Sequence, residues 1–279
     1  MGLFDAIRSF SERNRYVSSP QQLAELIKKS LEMTSEEAPY LVVPLASLPN
    51  DGNLIETLYR FLLNTSKEHI RERGTIWVTD ILYCPLKCYY SLRFPEIQQA
   101  RLIVNPQLFH GLLVHIGLEV LARLCGFEVE KRLEMNIGIE NTYPESELTK
   151  LLGIEKQVKL VGRADLYDPA NNIVYEIKTV KEVKNVLPQH VIQAWIYKEI
   201  LKADKAKLIY IAGNGCFEID VNDNMVVDAL NKLGVRGALD DFVGTISNMI
   251  ESWLSLERVP LWEWECNVCE FKGICSKRR

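Results

Sequence analysis

Residues 161 to 178 read VGRADLYDPANNIVYEIK. Two apolar runs flank the turn-forming segment Asp168-Pro169-Ala170-Asn171-Asn172, a pattern that predicts a β-hairpin. Both runs carry acids where a plain strand would not. Alternation along the second strand places Val174, Glu176 and Lys178 on one face and Ile173, Tyr175 and Ile177 on the other. With a loop running from Pro169 to Asn172, Asp168 pairs with Ile173, and counting back sets Asp165 across from Glu176. A loop of odd length would break that pairing, because one residue of slip turns a side chain to the opposite face.

Two carboxylates brought together repel unless positive charge lies between them, and a divalent cation with oxygen ligands is the usual solution. A lysine beside them completes a hydrolytic set: the cation polarises a phosphate oxygen and acidifies water, and Lys178 orients or deprotonates that water. The plain alternative is a surface hairpin whose Glu176 and Lys178 are solvated or paired across strands, with little energetic consequence.

The remainder of the chain weighs on this choice. Asp165 ending Gly-Arg-Ala-Asp, followed by Glu176-Ile177-Lys178, resembles the signature of the PD-(D/E)xK nuclease superfamily. It is most similar to the RecB-type branch, which adds a histidine upstream and Gln-x-x-x-Tyr downstream. Here His115 lies within GLLVHIG, with the G-x-x-x-H spacing from Gly111, and Gln193 and Tyr197 lie within QAWIY. The resemblance implies an α/β fold with a central mixed sheet flanked by helices. It implies that His115, Asp165, Glu176 and the carbonyl of Ile177 bind Mg2+ or Mn2+, that Asp165, Glu176 and Lys178 are catalytic, and that Gln193 and Tyr197 position substrate phosphate or Lys178. Glu119, four residues after His115, is left as an indirect supporter, and His110 as structural.

The 279 residues are enough for one good core with an appendage. Apolar residues at 47% and charged residues at 25% are those of an ordered globular chain. A net charge of -4 supplies no general basic field for nucleic acid, so DNA would be met by a local patch such as Lys277-Arg278-Arg279 or by bound cation. No apolar run is read as a membrane span and no secretory signal is seen, so a cytoplasmic protein without membrane contact is expected.

Residues 1 to 75 read as a helical N-terminal extension, with helical spacing near 2 to 13, 20 to 33 and 53 to 72. Residues 76 to 279 read as the nuclease domain. Within it, residues 105 to 125 form a helix stopped by Gly126, with His115, Glu119 and Arg123 on one stripe. A strand follows near 127 to 135, and 136 to 156 has the composition of a mobile loop over the site. A helix runs from Pro188 to about Lys202 with Gln189, Gln193 and Tyr197 at steps of four. Strands are expected near 206 to 212 and 216 to 221, and helical material from Asn224 to Ser255.

Seven cysteines without export signals point to reduced thiols or metal ligation. Cys266, Cys269 and Cys275 bring three thiols into a short tail, and one of Cys84 or Cys88 makes a set of four. Zinc and iron-sulfur clusters both suit four thiolates. Cys125 and Cys216 sit among apolar neighbours and are expected in the core, with Trp253, Trp262 and Trp264 packing around the cysteine site. Cys84 and Cys266 are 182 positions apart, so joining them removes chain entropy on the order of 4 to 5 kcal/mol.

One N-terminal cysteine in a Cys-Pro pair and three C-terminal cysteines bracketing a RecB-type domain resemble the CRISPR-associated Cas-four family. The likeness covers residues 75 to 279. It implies a [4Fe-4S] cluster on Cys84, Cys266, Cys269 and Cys275. It also implies metal-dependent DNA exonuclease activity on single-stranded ends, in CRISPR spacer acquisition beside the CRISPR integrase complex; homo-oligomer formation is left open. Two other readings stand beside it: a cluster-stabilised adaptor for the integrase with little or no nuclease activity, and a zinc-stapled DNA-repair nuclease.

Overall fold

The computed structural model describes residues 72–94, 97, 106–139, 146–235, 238–256 and 258–275. The helical segments expected before residue 72 and the basic run at 277–279 lie outside the described residues. Six strands form one sheet: β1 (Thr75–Trp77), β2 (Glu128–Gly138), β3 (Gln157–Asp168), β4 (Ile173–Val180), β5 (Lys205–Ala212) and β6 (Gly215–Val221). The helices are α1 (Pro85–Arg93), α2 (Pro106–Leu124), α3 (Glu147–Leu152), α4 (Pro188–Leu201), α5 (Asp223–Leu233), α6 (Phe242–Leu254) and α7 (Glu265–Val268). Parallel and antiparallel pairings coexist, so the sheet is mixed, as expected.

The hairpin forms in the expected register. Asp168 pairs with Ile173 and the loop is Pro169 to Asn172. The Asp168 carboxylate folds over that loop, accepting from the amides of Ala170 at 3.0 Å and Asn171 at 3.2 Å, an Asx turn. Asn172 takes the left-handed conformation at φ 52°, which asparagine tolerates better than most residues.

β3 is long enough to serve three neighbours. From Gln157 to Tyr167, with Asp165 skipped, it pairs antiparallel with β2. On the other edge its first half pairs parallel with β1 at Lys159, Leu160 and Val161, and its end pairs antiparallel with β4 at Leu166, Tyr167 and Asp168. Between these two partners the edge of β3 is forked: β4 departs after the Leu166–Tyr175 pair and continues alongside β5. Asp165 and Glu176 are the first residues past that departure.

α4 lies across the sheet and buries every residue from Gln189 to Tyr197. A helix apolar on most sides belongs in a core, and its polar stripe has to find partners there. Its Tyr197 also accounts for the glycine of Gly-Arg-Ala-Asp. A Cβ on Gly162 would stand 2.7 Å from the Tyr197 ring and 2.9 Å from Leu133, and both neighbours are buried.

Several expectations are corrected. Residues 136 to 156 are not one loop: β2 runs on to Gly138, and Ser146 and Thr149 form a capping box that starts α3, closed by Gly153 in the left-handed conformation. The helical material after residue 223 is two helices, because Gly234 ends α5 at φ 72° and Asp241 caps α6. Cys125 and Cys216 are exposed, one just past the end of α2 and one on the edge strand β6, where apolar sequence neighbours do not guarantee cover. One described helix, Gln107–Leu124, reaches the length and apolarity of a membrane span, contrary to the sequence reading; it is α2, which carries His115.

Gly162→Ala is expected to lower stability by about 1 to 3 kcal/mol, the usual range for forcing a methyl into a filled core. Denaturant unfolding measures it, and an unchanged midpoint would contradict the close approach of Tyr197.

Candidate active site and cysteine pocket

Asp165 occupies the fork between β3 and β4. Its Oδ2 accepts from the Ile177 amide at 2.6 Å, so a side chain takes over where the β3–β4 ladder has ended. Its Oδ1 lies 3.7 Å from His115 Nδ1. His115 comes from α2, which packs near β4: a Cβ at Gly111 would make ordinary contact with Thr179 at 3.7 Å.

Glu176 and Lys178 share a face of β4, as alternation requires. Lys178 Nζ donates to Glu176 Oε1 at 2.7 Å and to Gln193 Oε1 at 2.9 Å. Gln193 Nε2 donates in turn to Glu176 Oε1 at 2.7 Å and lies 3.0 Å from the Tyr197 hydroxyl. The polar stripe of α4 thus finds its partners in the acid and lysine of β4. The other oxygen of Glu176, Oε2, is buried and has no partner, an arrangement that costs free energy unless something positive or hydrogen-bonding meets it.

Here the structure brings together His115, Asp165, Glu176, Lys178, Gln193 and Tyr197. It adds a residue that sequence reasoning set aside. Glu119 lies one turn after His115, and ligand atoms of His115, Glu119 and Asp165 all fall within 4.8 Å of one another. The signal was present in the sequence as the shared stripe at a step of four. A second omission is Glu130, which faces Asp165 across β2 and β3, between the pairs Val129–Leu166 and Lys131–Ala164. Glu130 holds Arg163 at 2.7 Å and has a left-handed backbone at φ 50°.

The electrostatics follow from counting charges. One ammonium against the two buried carboxylates Asp165 and Glu176 leaves an excess of negative charge. Burial and then the charge of Asp165 push Glu176 up, against the pull of Lys178. Burial works to lower Lys178, but Glu176 and Asp165 outweigh it and raise it, so Lys178 keeps its proton. Burial and the neighbouring charges of Glu130 and Asp165 push Glu119 up to about 8. For His115 burial works downward, and the hydrogen bond and charge of Asp165 overcome it, so the imidazole is raised. Oxygens in excess of positive charge, one imidazole and an unmet buried carboxylate oxygen make a donor set that fits a hard divalent cation.

The cysteines gather elsewhere. Cys84, Cys266, Cys269 and Cys275 all line one cavity of about 330 Å3, together with Tyr83, Tyr90, Phe271 and others. Cys88 does not line it and is buried, which removes the ambiguity over the N-terminal thiol of this pocket. Burial pushes Cys84 up to about 12 and raises Cys269 as well, so as free thiols both are protonated.

Direct contacts join the distant segments that form the pocket. The buried carboxylate of Glu265 accepts from the amides of Cys84 at 2.7 Å and Trp262 at 2.9 Å. Trp253 and Trp262 donate their indole N–H groups to the carbonyls of Tyr83 and Leu82 at 2.9 and 2.8 Å. Phe271 stacks on Tyr90 with ring centroids 5.8 Å apart. Trp264, by contrast, is half exposed at the rim, edge-on to Tyr83.

A family model for the PD-(D/E)XK nuclease superfamily matches residues 111–276. The chain belongs to that superfamily. Among curated relatives, the chain is 29% identical over 232 residues to the CRISPR-associated exonuclease Cas4 of Saccharolobus solfataricus, covering 81% of this chain and 98% of that protein. Among solved structures, the crystal structure of SSO0001 superposes with a TM-score of 0.66 at 27% identity, covering 82% of this chain and 98% of that one.

The raised carboxyl groups set a pH dependence. A carboxyl whose folded pKa lies above its ordinary 4.5 contributes stability below that value and loses it as pH rises through the folded value, about 8 for Glu119. His115 acts in the same direction above 6.5. Chelator-treated protein is therefore expected to melt at lower temperature at pH 8 than at pH 6, with Mn2+ restoring the loss. Scanning calorimetry with and without the cation measures this, and a melting temperature that holds or rises over that interval would contradict it.

Proposed function

We propose that this protein is a divalent-cation-dependent DNA exonuclease that trims single-stranded ends in CRISPR spacer acquisition, alongside the CRISPR integrase complex. The observation that carries the hydrolytic reading is the meeting of Asp165, Glu176 and Lys178 at the fork, with His115 across from Asp165. The likeness to the Saccharolobus solfataricus exonuclease supports the substrate and the CRISPR setting.

His115, Asp165, Glu176 and the carbonyl of Ile177 would hold Mn2+ or Mg2+, which when bound polarises a phosphate oxygen and acidifies water. Lys178 acts as a protonated donor. Fixed by Glu176 and Gln193, its ammonium would orient the attacking water and offset the charge that grows on the phosphate oxygens. Gln193 locks that ammonium in place, and Tyr197, itself seated against Gly162, locks Gln193. The water oxygen forms the new bond to phosphorus, the bond from phosphorus to the departing sugar oxygen breaks, and the water proton passes to solvent or to that oxygen.

The second cofactor is a [4Fe-4S] cluster on Cys84, Cys266, Cys269 and Cys275. Four thiolates around one zinc at about 2.3 Å would lie about 3.8 Å apart. Among the described residues the ligand atoms gathered within 4.8 Å are those of His115, Glu119 and Asp165, with no cysteine among them. A pocket of about 330 Å3 with thiols spread around its wall suits a four-iron cluster better than a single ion.

Asp165→Ala is expected to abolish cleavage of labelled single strands in Mn2+ while leaving the brown colour and the iron content unchanged. Loss of colour together with cleavage would assign the defect to fold damage and overturn the reading of Asp165 as a ligand. Cys84→Ala is expected to lose the visible absorbance of the cluster and Cys88→Ala to keep it; the reverse pattern would overturn the ligand assignment.

A further inference from the structure

We propose that Glu119 is a direct ligand of the divalent cation, so that α2 supplies two donors, His115 and Glu119, in place of the single histidine of the motif. This rests on the cation-dependent reading of the same site and deepens it.

The geometry is that of two donors one helical turn apart. Residues at a step of four share a helix face, and here that face is turned to Asp165. Atoms of His115, Glu119 and Asp165 lie within 4.8 Å of one another, close enough for one ion to reach all three by small side-chain adjustments. The three residues are half-buried or buried, so bulk water does not satisfy them as it would an exposed acidic patch.

Glu119 has two charged neighbours besides Asp165. Glu130 reaches it from β2, and Arg123 follows one turn later on α2. Glu130 is itself paired with Arg163, whose guanidinium donates to it at 2.7 Å.

A second observation, on β4, points to an unmet need for positive charge beside Asp165. Glu176 Oε2 is buried without a partner, next to Asp165 and on the side opposite Ile177 of β4. Asp165 is anchored through Oδ2 by the Ile177 amide and presents Oδ1 toward His115. A cation bound at Oδ1 would be met by α2 from one side. A site built only from Asp165 and β4 would leave Glu119 as a half-buried carboxylate facing two others.

Calorimetric titration of the full-length, cluster-containing protein with Mn2+ tests this without any cleavage step. Glu119→Gln, which keeps the shape and removes the charge, is expected to weaken Mn2+ binding tenfold or more and to shrink the Mn2+-induced rise in melting temperature. Glu119→Asp is expected to recover part of both, and Asp165→Ala to lose binding. If Glu119→Gln binds Mn2+ within about twofold of the unchanged protein, Glu119 is no ligand and the proposal falls, while the nuclease reading stands on Asp165. If the unchanged protein takes up no Mn2+, the proposal falls together with the cation-dependent reading.

Discussion

A single carboxylate at the parting of two strands holds the site together. Asp165 accepts the Ile177 amide with one oxygen and faces His115 with the other, so it connects the sheet to α2. Were β4 to continue pairing along β3, the Ile177 amide would belong to the ladder and Asp165 would have no such anchor. Because β1 occupies the first half of the β3 edge, β4 has to leave, and its departure opens the space in which the acids and the lysine sit. The topology of the sheet and the chemistry of the site are consequences of one strand having too many neighbours.

From that anchor a chain of fixed contacts runs into the core. Gln193 joins Lys178 to Glu176, Tyr197 meets Gln193, and Tyr197 rests against the one residue of β3 that has no side chain. Each link is short and buried, and low polarity strengthens such contacts while making any unpaired member costly. The excess negative charge that remains is the feature a folded protein would not keep without a counter-ion.

Much of this was legible in the sequence because strand alternation is rigid. Once the loop was taken as Pro169 to Asn172, the positions of Asp165, Glu176 and Lys178 followed, and the register bears that out. The helix of Gln193 and Tyr197 was legible from a step of four. The nearness of Glu119 to Asp165 was not legible, since a helix stripe in sequence does not say which side faces the sheet. Glu265 was missed altogether, because nothing near it reveals that its partner is the amide of Cys84. Cys125 and Cys216 were misplaced for the opposite reason: local apolar character says little about which residues cover an edge strand or a helix end. Which of Cys84 and Cys88 lines the cysteine pocket was not legible either, since only tertiary structure shows that Cys84 lines it and Cys88 is buried.

The Glu265 carboxylate and the two indoles tie the chain around residue 83 to a segment 170 to 181 positions later. Contacts so far apart along the chain cannot form during most of synthesis, and closing such a loop is slow. The hairpin, whose strands are separated by one tight turn, needs no such wait. The cysteine pocket is therefore completed last, and a ribosome stalled before the tail would leave the hairpin already folded beside a pocket still lacking one wall.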